Sequence, residues 1–222
     1  MIAIRPSKLF HLVEEEGPER VVQIRIPKRR NPEGPDRSAK LLETMVLLAC
    51  CKIAQAVNVF EFGTCLGSTA LNLALNGYQV HTLDLDLNSA KAARQSPNDR
   101  ETTAFHLSHP MEWERFAQNS ILKWRITPLY GDSTRLALGL YADSMDLVWI
   151  DGGHDYQTLA SDTANAFGMI RQNRQSVIAW HDYANPETPD VTRFLDELSA
   201  AKKLYWIEDT FVVLHFNRPV EL

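Results

Sequence analysis

The stretch Ile-Asp-Gly-Gly-His-Asp-Tyr at positions 150–156 ends an apolar run. It gathers a carboxylate (Asp151), an imidazole (His154) and a second carboxylate (Asp155) within five residues. Such a segment reads in three ways: a tight turn into a helix, a metal site, or a general base for catalysis. A second apolar run, "SVIAW", ends in His181, Asp182 and Tyr183. Earlier in the chain "EFGTCLGS" carries Glu61, Gly63 and Gly67, "TLDLD" carries Asp84 and Asp86, and "YGDST" carries Asp132 and Ser133.

The glycine loop allows a tight turn at Gly63 and close helix packing after Gly67. It is a poor phosphate cradle. A dinucleotide fingerprint needs a glycine where Cys65 stands, and a P-loop needs a lysine that is absent. Asp84 follows the loop by about 20 residues, where a carboxylate can accept both hydroxyls of a ribose. Asp86 would lie roughly 6 to 7 Å further along an extended strand, and Asp84 is the better placed. Asp132 and Ser133 could meet an adenine edge. Together these residues outline an adenosine site without a phosphate site.

The elements that must position them alternate. "NVFEF", "YQVHTLDLD", "RITPLYGD", "MDLVWID" and "SVIAWHD" read as strands, separated by helical patterns. "LYWIEDT" and "FVVLHF" close the chain as two strands with no helix between them. The fold class predicted is α/β, a doubly wound Rossmann-like sheet that is mostly parallel, with an antiparallel strand near the C-terminus. Residues 1–37 read as an N-terminal lead-in or lid segment, and residues 38–222 as the catalytic domain. The segment Ser96 to Lys123 is longer than a minimal connection and is a second candidate lid. Trp149 and Trp180 read as core residues, Tyr183 as a substrate wall. Asp155 suits a helix N-terminus, and both it and Asp162 stay outside the predicted site.

The 222 residues carry a formal net charge of -5, which disfavours nucleic-acid binding. The three cysteines include no Cys-x-x-Cys pair, so neither a zinc ribbon nor a disulfide framework is expected. No apolar stretch has signal-peptide or membrane-spanning length, so the expected location is cytoplasmic.

The order and spacing of these motifs resemble class I S-adenosylmethionine-dependent methyltransferases over residues 38–216. "DLVWIDGGHDY" followed by "VIAWHDY" is similar to the small-molecule O-methyltransferases of the catechol, caffeoyl-CoA and macrolide-sugar type. The resemblance implies that Glu61, Gly63, Thr64, Gly67 and Ser68 line the methionine end of S-adenosyl-L-methionine. It implies that Asp84 binds the ribose, that Asp132 and Ser133 flank adenine, and that Asp151 borders the cofactor. It further implies a divalent cation, magnesium or similar, on Asp151, His181 and Asp182, with Asp151 and His154 as the catalytic residues and His154 as the base. His181 departs from the relatives' oxygen donor and suits zinc, manganese or iron better than magnesium. The expected partner is a small hydroxyl-bearing substrate, with no nucleic acid or membrane partner and a homo-oligomer left open. The alternative reading is a cofactor-binding pathway partner that transfers no methyl group.

Overall fold

The computed structural model describes residues 1–14, 41–93, 95, 97–109 and 121–221. Its strands are β1 (Ile2–Ile4), β2 (Asn58–Phe62), β3 (Gln79–Asp84), β4 (Ile126–Tyr130), β5 (Leu147–Ile150), β6 (Val177–Trp180), β7 (Tyr205–Ile207) and β8 (Val213–Phe216). The helices are α1 (Pro6–Glu14), α2 (Leu41–Ile53), α3 (Ser68–Leu75), α4 (Leu87–Ala92), α5 (Pro97–Leu107), α6 (Tyr156–Met169) and α7 (Pro189–Leu198). The strands form one sheet in the order β1-β7-β8-β6-β5-β2-β3-β4. All neighbours pair in parallel except those of β8, which runs antiparallel to both β6 and β7. The doubly wound α/β fold is as predicted, including the antiparallel strand.

Strand residues alternate between two cores, as a sheet covered on both faces requires. On β5, Leu147 and Trp149 join the apolar cluster under α2 and α3, while Val148 and Ile150 join the one under α6 and α7. Trp149 and Trp180 are fully buried, the core role expected of them.

Residues 2–14 of the expected lead-in pack on the sheet. β1 pairs in parallel with β7, Ile2 opposite Tyr205, and α1 buries Leu9 completely in the core beside α2. A three-residue strand has too short a pattern to announce itself, and only the edge of β7 gives it a partner. The rest of the expected N-terminal segment, residues 15–37, lies outside the described residues. So does 110–120 of the second candidate lid. The described part of that lid, α5, is instead a wall of the cleft described below.

Strand order reverses between β2 and β5, so a crevice opens at their carboxyl ends. Backbone hydrogen bonds beyond the strands hold these ends level: Gly63 N donates to Leu83 O at 2.9 Å, Asp151 N to Phe62 O at 2.9 Å, and His181 N to Ile150 O at 3.0 Å. Most of the residues singled out from the sequence therefore meet at one edge.

Candidate active site

Gly63 has φ +90°, and a Cβ there would stand 2.0 Å from the Asp151 carbonyl oxygen. Only glycine lets the β2 and β5 loops touch. Gly67, at φ 79°, precedes α3 as its N-cap residue. Behind the loop, Thr64 and Thr82 share a hydrogen bond of 2.6 Å, and Thr82 donates to Glu61 at 2.5 Å. Burial pushes the Glu61 carboxyl well above the ordinary range, against the Thr82 bond and with help from the Asp151 and Asp84 charges.

Asp84 accepts from the Cys65 N–H at 2.8 Å and from the Leu85 N–H at 2.7 Å. Burial raises its pKa, against the His106 ring 3.7 Å away and these N–H bonds. Asp86, by contrast, caps α4 through the N–H groups of Asn88 and Ser89. The choice between the two acids thus falls on geometry: one borders the cleft and the other holds a helix.

The cleft encloses about 790 Å³ of empty space, part of it continuous with solvent. Asp84, Asp99, Asp132, Asp151 and Asp162 line it, and among the described residues no lysine or arginine does. Of the predicted cofactor residues, Gly63, Asp84, Asp132, Ser133 and Asp151 reach the cleft wall. Glu61, Thr64, Gly67 and Ser68 do not; they sit behind the loop or begin α3, where they shape the loop instead. Tyr183 also lies off the cleft, with its ring 5.7 Å from Trp206 and its hydroxyl on Asp196 at 2.9 Å.

Beside Asp151 the second motif closes a charged cluster. Asp151, His181 and Asp182 offer ligand atoms that lie within 4.8 Å of one another. His181 Nδ1 lies 3.0 Å from Asp151 and 3.3 Å from Asp182, and its Nε2 lies 3.3 Å from Glu43. None of these contacts is aligned as a hydrogen bond. Asp182 sits at φ 63°, a left-handed conformation uncommon outside glycine and frequent at functional sites. Its carboxylate accepts from Asn185 at 2.6 Å and from His154 Nε2 at 2.8 Å.

His154 is gripped on both sides, since Nδ1 lies 2.5 Å from Asp99. Burial opposes its charge, but the bonds to Asp182 and Asp99 outweigh that and push its pKa up to about 10. Burial likewise opposes ionisation of Asp182, and the two imidazoles outweigh it and hold the carboxyl far below its usual range. His181 is raised well above its usual value, burial being overcome by Asp151, Asp182 and Glu43. In this arrangement both ring nitrogens of His154 donate to carboxylates, so a base role requires one of the two bonds to open and the proton on that nitrogen to leave.

The donor set fits a divalent metal. Two carboxylates and an imidazole converge, and Glu43 and Asp99 bring more negative charge to the same cluster. One nitrogen with two oxygens suits manganese, iron or zinc better than magnesium.

Three residues of the site, Glu43, Asp99 and His106, were not singled out from the sequence, and a fourth, Asp162, was set outside it. Two carried a signal. Asp162 shares the buried stripe of α6 with Leu159, Thr163 and Ala166, and Glu43 shares that of α2 with Leu47 and Cys50. An acid on an apolar stripe needs an explanation. Asp155, read as a helix-start acid, does cap α6.

A family model described as "Methyltransferase domain" matches residues 60–183, more than half of the chain. Compared by sequence with curated proteins, the chain matches none. Several solved structures share the fold. The SAH-bound methyltransferase PaMTH1 of Podospora anserina has a TM-score of 0.56 at 12% identity, covering 97% of this chain and 88% of its own. The O-methyltransferase NovP has a TM-score of 0.53 at 16% identity, covering 76% and 78%. The O-methyltransferase TomG of Streptomyces achromogenes, in complex with SAM, has a TM-score of 0.52 at 15% identity, covering 82% of each chain. At such identities the likeness is one of fold. The family match is of another kind, running unbroken from the glycine loop through the 150–156 turn to Tyr183, and on it the chain belongs to the methyltransferase-domain family.

Proposed function

We propose that this protein transfers the methyl group of S-adenosylmethionine to a hydroxyl of a small molecule. The observation that carries the reading is the acidic lining of the switch-point cleft: five aspartates and, among the described residues, no lysine or arginine on its wall. That lining disfavours a phosphate and suits a cofactor with a sulfonium and an ammonium group. Two of the fold relatives are described as O-methyltransferases, and TomG is described as holding SAM.

When bound, S-adenosylmethionine supplies an electrophilic methyl, and a divalent cation held by Asp151, His181 and Asp182 supplies Lewis acidity towards the acceptor hydroxyl. The chain's own groups then position and charge the site. Asp84 receives the ribose hydroxyls, and the bare Gly63 backbone lets the ligand lie close. Glu61 and Thr64, through Thr82, hold the loop in shape. Asp99 holds the Nδ1 proton of His154, and Nε2, on its longer bond to Asp182, is the nitrogen that can act as base once that bond opens and its own proton has been lost to solvent.

Calorimetric titration with S-adenosylmethionine and S-adenosylhomocysteine tests the cofactor, and binding of neither would sink the proposal. Transfer of labelled methyl to a panel of sugars and phenols tests the acceptor. Titration with manganese tests the metal cluster: His181→Ala should abolish binding of the ion while leaving that of S-adenosylhomocysteine. Transfer insensitive both to chelators and to this substitution would remove the metal from the mechanism.

A further inference from the structure

We propose that Glu43 is a positioning residue for the metal centre: it keeps the ring proton of His181 on Nε2 and so leaves Nδ1 as the atom that ligates; this rests on the metal reading above. His181 Nδ1 faces the cluster, 3.0 Å from Asp151 and 3.3 Å from Asp182, while Nε2 faces Glu43 at 3.3 Å. The ligand atoms that converge come from Asp151, His181 and Asp182, so Glu43 stands behind the ring as a neighbour of the ligand. A ring that ligates through one nitrogen carries its proton on the other. Whatever accepts that proton chooses which nitrogen is free.

The surroundings leave that choice to Glu43. Both ring nitrogens of His181 are shut off from solvent. The ring packs against Trp149, with centroids 5.4 Å apart, and meets Phe211 edge-on at 6.2 Å, which opposes a flip that would exchange the nitrogens. Glu43 is itself fixed. It is 1% exposed on the buried stripe of α2, and its Oε1 accepts from the Phe211 N–H at 3.2 Å, so Oε2 is the oxygen turned to the ring. The 3.3 Å contact is within hydrogen-bonding distance but out of line, and alignment requires a rotation of the ring.

Glu43→Gln would undo this arrangement without changing the side chain's size. The single amide oxygen would go to the Phe211 N–H, and the amide nitrogen would then face Nε2 and donate to it. The ring proton would move to Nδ1, where it excludes an ion. His181→Asp, by contrast, supplies an oxygen donor with no ring tautomer to set, so metal binding in that background should not need Glu43.

The test joins a spectrum to a titration. Long-range proton–nitrogen NMR of zinc-loaded wild type with isotope-labelled histidine reads which nitrogen of His181 holds the ion; it should show zinc on Nδ1 and the proton on Nε2. Calorimetric titration with manganese should find affinity about tenfold or more lower in Glu43→Gln. The same change made in a His181→Asp background should cost about twofold or less, and thermal melts show whether each variant is folded. Zinc on Nε2, or on neither nitrogen, overturns the assignment while sparing the metal reading. So does undiminished manganese affinity in Glu43→Gln, or an equal loss in both backgrounds, which would mean that the Glu43 charge acts on the ion directly. If Glu43→Gln does not fold, or His181→Asp binds no manganese, the wild-type spectrum decides. Binding of neither zinc nor manganese to wild type overturns the metal reading and this assignment together.

Discussion

Replacing Asp162 by asparagine should change how the protein's stability depends on pH. Burial pushes this carboxyl up to about 7, against the Ser133 hydroxyl and with help from the nearby Asp132 and Asp155 charges. The folded protein keeps the proton over a range in which the unfolded chain, at about 3.8, has released it. The stability that comes from this proton is complete below 3.8 and is lost as pH rises through 7. Between pH 5 and pH 8 the difference covers about two units, or about 3 kcal/mol. Asparagine cannot titrate, so its variant should lack this component. Urea unfolding of both proteins at pH 5 and pH 8 measures it. The variant should gain about 3 kcal/mol on wild type at the higher pH, with equal m-values. Groups that titrate identically in both proteins cancel in the comparison. A stability difference between variant and wild type that is the same at both pH values would refute the reasoning.

Other consequences can be checked with simple variants. Gly63→Ala drives a Cβ into the Asp151 carbonyl at a left-handed φ, and should cost at least about 2 kcal/mol and abolish S-adenosylhomocysteine binding. Gly139→Ala, with nothing within 4 Å of the added carbon, should leave denaturant midpoint and binding near wild type. Asp84→Ala should abolish S-adenosylhomocysteine binding, whereas Asp86→Ala should only lower the melting temperature through the lost cap; equal binding losses would mean that the ribose acid is misassigned. His154 contributes stability that is complete below about 6.5 and lost as pH rises through about 10. Thermal melts from pH 7 to 10.5 should therefore fall more steeply for wild type than for His154→Gln.

The sequence by itself determined the alternation of strands and helices, the glycine turn after β2, and which strand ends carry acids. These depend on periodicity and backbone preference, which act over a few neighbouring residues. Strand order then brings those ends to one edge, so Gly63, Asp84, Ser133 and Asp151 were legible without coordinates. Tertiary structure alone decided what each charge faces. His154 takes its partners from residues 55 and 28 positions away, and one of them lies in a segment with no readable pattern. Asp132 and Asp162 differ for the same reason: a local turn engages the first carboxylate, and helix packing buries the second beside the cleft. Hydrogen bonds and burial between distant segments fix such choices, and a one-dimensional pattern carries no record of which distant side chain arrives.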